Sequence, residues 1–351
     1  MIDFDSEELI KSLDIPIIAS ERKYWFVRTD SGRLYEEFRN DGYIAVGFNE
    51  YTNPKLFDDL DSKDEFILKE EIKEKYETKM PGASLTTLKR FMVEMSVGDV
   101  VFIPSINSES ITFGIVESDM FIYELTPEDE DEDRCDYIKR RHVHWIKTIQ
   151  KKYLDVNFYK IFQSHHTIVD ANKYDFIIDR TLESFYIKNN IAHLKININT
   201  DDPIDGKSFY NLEKFIFDNG VIKEDSMDQK INVQSKGFIE LITNNWQYLL
   251  LLIAFIHVIT GGKIKFLSCE IENPGIIKYL IDRMKIKHEQ EKDIFDVLER
   301  EFGDDLKKLK VDVDVKNKFI KNIAKINNSL SESETSIEPS NIQEELDEIE
   351  E

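Results

Sequence analysis

Short apolar runs alternate with turn formers over the first 150 residues. Lys23–Arg28 (KYWFVR) and Tyr43–Phe48 (YIAVGF) read as strands, with DSG and NDG as turn signals between them. The intervening RLYEEFRND predicts a short helix with Leu34, Tyr35 and Phe38 on one face. SLTTLKRFMVEM predicts a longer helix with Ser84 as its N-cap and a stripe of Leu85, Leu88, Phe91, Met92 and Met95. A Gly98-Asp99 turn then leads into a strand over Val100–Ile103. A second strand, Ile111–Val116, is interrupted by Gly114. The acidic run Thr126–Asp136 reads as a solvated loop, and HVHWIKTI closes the region as a further strand.

The texture changes after residue 152. Residues 153–230 read as an αββα segment. A helix capped by Asp170 precedes two strands around an Asn189-Asn190 turn, and Asn tolerates the positive φ such turns need. An amphipathic helix over GKSFYNLEKFIFDNG ends at Gly220. Residues 231–328 read as mainly helical, with a strand at KIKFLS, helices near 275–301 and 312–328, and an apolar helix over 246–260. Trp246–Ile259 spans fourteen residues and includes Gln247 and His257, against the roughly twenty a bilayer crossing needs. A buried helix is the simple reading. Trp246 and Tyr248 at one end and Lys263 and Lys265 at the other keep a membrane contact open. From Ser329 the chain carries nine acidic residues and no Lys or Arg, the composition of a disordered acidic tail.

The predicted class is therefore α+β: an N-terminal extension (1–20), a β-rich domain (21–152), the αββα segment (153–230), a mainly helical region (231–328) and the tail (329–351). Hydrophobic residues make up 41% of 351, enough for a sizeable core. The net charge of −23 argues against loose, salt-driven attachment to nucleic acid, yet leaves room for a single base in a pocket. Two cysteines, Cys135 and Cys269, build neither a disulfide framework nor a Cys-rich metal site, and they fit a reducing cytoplasm. The acidic N-terminus lacks the apolar core of a signal peptide.

Motifs for catalysis are missing. There is no Walker loop, paired CxxC, HExxH or GxSxG, and HVITGGKIKF lacks phosphate-loop spacing. His142 and His144 share one strand face but have no evident third metal ligand. CEIEN has alternating acids without the lysine a nuclease would place nearby. No catalytic residue, metal or cofactor is assigned, and the chain reads as a binder rather than an enzyme.

The order of features in the first region is more specific than any one of them. Trp25, Val27 and Arg28 come first, then Ile44–Gly47. Gly98, Asp99 and Val100 follow, then Gly114–Val116, and finally Arg141, Val143 and Trp145. This succession resembles the EVE-like domain of the PUA/ASCH/YTH group, as found at the N-terminus of Mrr-like and other modification-linked restriction proteins. Phe48 stands where the family has Trp, and an acidic insertion precedes Arg134. The resemblance implies a small β-barrel with a pocket for a nucleobase, often modified, single-stranded or flipped out of the stack. Aromatic walls and a few edge-reading polar groups suit that task. On that reading Trp25 and Phe48 are walls, Phe102, Pro104 and Ser105 form a rim, and Arg28 and Ser105 supply polar contacts. Against it stands a plain core role for Trp25 and Phe102 and a carboxylate partner, such as Asp99, for Arg28.

The leading expectation is a cytoplasmic sensor in restriction or anti-phage defence. It would bind a modified base through its first domain and act through a protein partner or as a homo-oligomer. Two alternatives stay open: a membrane-associated or oligomeric effector using Trp246–Ile259, and a cryptic nuclease.

Overall fold

Alternation along a few buried strands organises the first half of the chain. The computed structural model describes residues 6–58, 60–131, 134–219, 226–233, 236–260 and 293–315, with residue 322. The chain divides into two compact units, residues 21–182 and residues 1–20 with 183–351. The class is α+β, with curled, half-barrel sheets and several helices. The acidic tail, the KIKFLS strand, Gly220, Lys263, Lys265 and Cys269 lie outside the described residues, as does most of the expected 312–328 helix.

The first elements, α1 (Ser6–Leu13) and β1 (Ile17–Ile18), belong to the second unit. Within residues 21–182 the elements are β2 (Tyr24–Val27), α2 (Tyr35–Asp41), β3 (Tyr43–Val46), α3 (Ser62–Tyr76) and α4 (Pro81–Lys89). Then come β4 (Val100–Pro104), β5 (Ser110–Val116), β6 (Phe121–Ile122), α5 (Pro127–Asp131), β7 (Lys139–Gln150), β8 (Ile168–Asp170) and α6 (Asp175–Leu182). The sheet runs β3-β7-β5-β4-β2-β8, with β6 beside β7. β2 and β4 are parallel, in the register Trp25–Val101 and Phe26–Phe102.

Because side chains alternate along a strand, this register sorts the core into two layers. Trp25, Val27, Val101 and Ile103 join Leu34, Phe38, Ile44, Leu88 and Phe91 in one. Tyr24, Phe26, Val100, Phe102 and Phe113 face the other, which is completed by Leu154, Phe158, Ile161, Tyr174 and Ile178. The expected boundary at 152/153 is therefore corrected to 182/183. Residues 153–182 cover the second face of this sheet and cannot leave it without exposing that layer.

Most local expectations hold. Leu34, Tyr35 and Phe38 are buried, as is the stripe Leu85, Leu88, Phe91, Met92 and Met95. The helix begins at Pro81 rather than at Ser84, because proline is pre-set for a first helical position. It continues as a π-helical turn over Arg90–Glu94. The acidic run is not all loop: it contains α5, where buried Asp129 accepts hydrogen bonds from Thr126 N, Thr126 Oγ1 and Tyr123 Oη. At Gly114 the β5–β7 register slips by one residue. A Cβ there would lie 2.6 Å from both Trp145 Cε3 and Val143 Cγ1, so the bend that curls this sheet admits only glycine.

In the second unit, β9 (Phe185–Lys188) and β10 (Ile191–Ile198) form the expected hairpin, with Asn189 and Asn190 at φ 53° and 62°. The remaining elements are α7 (Gly206–Phe217), β11 (Asp228–Val233), β12 (Gly237–Thr243), α8 (Trp246–Thr260), α9 (Asp293–Lys308) and β13 (Val311–Asp312). β1 pairs in parallel with β9, and Leu9, Leu13 and Ile15 enter this unit's core. The N-terminal segment is thus part of the second unit, not a separate extension. Asp312, expected to open a helix over 312–328, instead pairs with β10 alongside Val311.

The apolar segment α8 is a core helix. Tyr248, Leu249, Leu251, Leu252, Phe255 and Ile259 are buried with residues of β10, β12 and α9. Those side chains pack within this unit, as the simple reading of a buried helix expects. Among the described residues, no helix is long and apolar enough to cross a membrane.

Candidate functional site

The six residues singled out from the sequence do not converge on one cavity. Trp25 and Phe102 occupy neighbouring strands but point to opposite faces of the sheet, and they are 2% and 0% exposed. Phe102 packs among aromatic rings: Phe26, Phe113 and Phe158 lie 5.1–5.4 Å away between centroids. The Trp25 indole is committed to the fold. Its Nε1 donates to Asp99 Oδ2 at 2.8 Å, and the same carboxylate accepts from Ser96 N at 2.9 Å and Lys23 N at 3.0 Å. Asp99 is thus a clasp between the start of β2 and the turn before β4, not the partner of Arg28. Phe48 sits apart at the end of β3, edge-on to Tyr76 at 5.0 Å.

Phe48 has φ 61°, unusual for a large side chain. Its carbonyl accepts from Lys139 Nζ at 2.7 Å. Lys139 is fully buried beside Val46, and burial pushes its ammonium down to about 8. Arg141, two residues on and also buried, is lowered for the same reason. It donates to Phe91 O and Ser118 O. These cations satisfy the irregular backbone that closes the curled sheet.

Three of the six residues, Arg28, Pro104 and Ser105, do share one edge. Arg28 and Ser105 follow the C-terminal ends of the parallel strands β2 and β4. Between them Thr29 Oγ1 donates to Pro104 O at 2.7 Å. Pro104 and Ser105 are therefore hairpin anchors: Ser105 N donates to Ser110 O, and Ser105 Oγ accepts from Ser110 N, both at 2.9 Å. Gly32, at φ 97°, lets Ile106 lie against it; a Cβ would meet Ile106 Cα at 2.5 Å. Held in this way, Asn107 and Ser108 both adopt φ 55° at the hairpin tip.

The tip forms one wall of an open cleft of about 500 Å³, lined by Asn107, Ser108, Glu109, Ser110, Gln150, Lys151, Lys152 and Tyr159. Lys151 N donates to Glu109 O at 2.8 Å, and Tyr159 Oη donates to Lys151 O at 2.6 Å, so the walls are tied together. The Lys151 ammonium lies 5.2 Å from the Tyr159 ring and 5.3 Å from Phe162. Lys152 lies 4.8 Å from the ring of Tyr153, which is 73% exposed. Arg28 does not line the cleft: its guanidinium donates to Ser164 O and its N–H to Thr167 O. The cleft can receive a nucleotide-sized, anionic, partly aromatic ligand.

Whole-chain composition hid this site. Residues 139–180 carry nine Lys or Arg against four Asp, and four of the seven histidines, in a chain of net charge −23. Four of these cations, Lys139, Arg140, Arg141 and Arg180, are buried, and two, Lys151 and Lys152, line the cleft. His142 and His144 are exposed on β7, where His142 stacks on Phe121 at 4.6 Å and His144 lies 3.9 Å from Glu117. Among the described residues, no group of three His, Cys, Asp or Glu side chains is placed to hold a metal. Cys135 is buried, which raises its thiol to about 11 and leaves it a poor nucleophile.

Residues 23–170 match the family model of a domain of unknown function, DUF8426. No curated protein and no solved structure matches the chain. The matched stretch runs from the residue before β2 to the end of β8, so it takes in the curled sheet, the hairpin tip and the cleft.

Proposed function

We propose that residues 21–182 are a PUA-type, EVE-like module that reads nucleic acid, with a modified base as its preferred feature. The observation that carries this reading is the cleft between the β4–β5 hairpin tip and the segment that follows β7. There a rigid polar hairpin tip, two lysines and a tyrosine line a nucleotide-sized cleft in a locally cationic stretch of an acidic chain. Asn107, Ser108, Ser110 and Gln150 offer donors and acceptors for a base edge, and Tyr159 offers a ring face. The succession of motifs from Trp25 to Trp145 and the curled sheet support the family likeness. Trp25 and Asp99 serve that likeness as architecture, with the base held elsewhere.

The role in restriction-linked defence rests on the resemblance, with residues 183–351 passing the signal to a protein partner. Direct binding tests the core of the proposal. The full chain is titrated with fluorescent single-stranded oligonucleotides carrying plain, methylated or hydroxymethylated bases. Binding with a preference for one modification is expected; failure to bind any of them overturns it.

A further inference from the structure

Resting on that reading, we infer that the cleft takes an unpaired strand, with Lys151 and Lys152 contacting successive phosphates and Tyr153 stacking on a base. Three observations lead there.

First, neither lysine forms an ion pair with a described carboxylate; their ammonium groups lie over aromatic rings. Lysines beside exposed aromatics are how single strands are tracked without sequence readout. Second, the Tyr153 ring projects into solvent next to Lys152, and a base can stack on it only when free of its own neighbours. Third, the charge distribution selects against duplex. Duplex DNA brings one negative charge per roughly 1.7 Å of axis. A rigid duplex reaching this cleft would lay further phosphates over a unit, residues 21–182, that carries 23 Lys or Arg against 32 Asp or Glu. A single strand can bend away after one or two nucleotides, and at about 0.15 M salt charges beyond roughly 8 Å are screened. Glu109, the one carboxylate in the lining, opposes binding and limits the footprint.

The footprint fixes the salt dependence. Two phosphate contacts on a single strand give a slope of about −1.4 in log K against log salt, or roughly a sevenfold loss between about 50 and 200 mM. The test uses the full chain and a fluorescent oligothymidylate about ten nucleotides long, with its duplex form as the second probe. The wild type is expected to show that slope and to bind the single strand at least about tenfold more tightly than the duplex. K151M and K152M should each flatten the slope by about 0.7 and weaken plain and modified strands alike. Y153A should weaken binding on the order of tenfold with the slope unchanged, and E109Q should tighten it. Tm is measured for each variant to separate binding from folding.

Unchanged binding and slope in K151M/K152M, with a modified-base preference intact, overturns this inference and leaves the proposed function standing. Equal or tighter binding of duplex overturns it as well. So does equally effective competition by polyglutamate, which would mark a general anion surface. Absence of binding to every strand overturns the inference together with the reading beneath it.

Discussion

Replacing Asp99 tests whether Trp25 belongs to the architecture of the 21–182 unit. The buried carboxylate accepts from Trp25 Nε1, Ser96 N and Lys23 N at 2.8–3.0 Å. Asp99→Ala removes all three acceptors. A buried donor left without a partner costs about 1–3 kcal/mol. The indole N–H is fully buried, whereas Lys23 N and Ser96 N are part-buried and can recover some hydration, so the expected loss is about 4 kcal/mol. Asp99→Asn keeps one oxygen for the two donors on the Oδ2 side and turns an NH₂ towards Lys23 N, costing about 2 kcal/mol. Against a usual stability of roughly 5–15 kcal/mol, either change is large. Urea unfolding followed by tryptophan fluorescence reads them, with Asp99→Ala moving the midpoint of this unit by about 2 M. Combined with Trp25→Phe in a double-mutant cycle, Asp99→Asn should show a coupling of about 1–2 kcal/mol. An Asp99→Ala loss below about 1 kcal/mol would refute the clasp and return Trp25 to the list of candidate ligand contacts.

Other consequences follow from particular contacts. Gly114→Ala drives a methyl group into Trp145 and Val143 and should destabilise by about 1–3 kcal/mol in the same urea assay. Gly32→Ala displaces Ile106 and with it the hairpin tip; it should weaken oligonucleotide binding several-fold as well as lowering Tm. Lys139 has a folded value of about 8, below its ordinary 10.5, so above pH 8 the folded state has released a proton that the unfolded chain still holds. Stability contributed by this group therefore rises with pH from about 8 towards 10.5. Buried Cys135, Tyr24 and Tyr43, whose values are raised, act in the opposite direction above about pH 9. The difference between wild type and Lys139→Met isolates the lysine: urea titrations at pH 7.5 and about 9 should show the wild type gaining on the variant. A constant difference across that range would contradict the burial argument.

How far the chain could be read in advance depended on the range of the interaction. The β2, β4 and β5 strands, the α2 face and the Asn189-Asn190 hairpin are written in neighbouring residues, through alternation, helical spacing and turn chemistry. What separates Trp25 from Phe102 is the parallel register of β2 on β4, a pairing of distant segments that no local pattern encodes. The same holds for β1, whose partner β9 lies across the whole intervening unit. Residues 153–182 look like the start of a new domain because their apolar side chains match those of a self-contained segment. They are assigned correctly only once Tyr24, Phe26 and Phe102 are known to need a cover. The cleft is not legible in the sequence because it depends on the Asn107–Ser110 tip meeting the Gln150–Tyr159 stretch. Arg28 and Ser105, expected as polar contacts in one pocket, do not line the cleft; their side chains hold backbone in place at Ser164 and Ser110.

Hydrogen–deuterium exchange on the full chain, with and without a saturating single-stranded oligonucleotide, tests the central claim most directly. The account predicts slowed exchange at residues 105–110 and 150–160 of the 21–182 unit, with β2 and the Asp99 turn unchanged because they are already protected in the free protein. Protection confined to residues 183–351, or centred on the Phe48 turn with the hairpin tip unaffected, would contradict it.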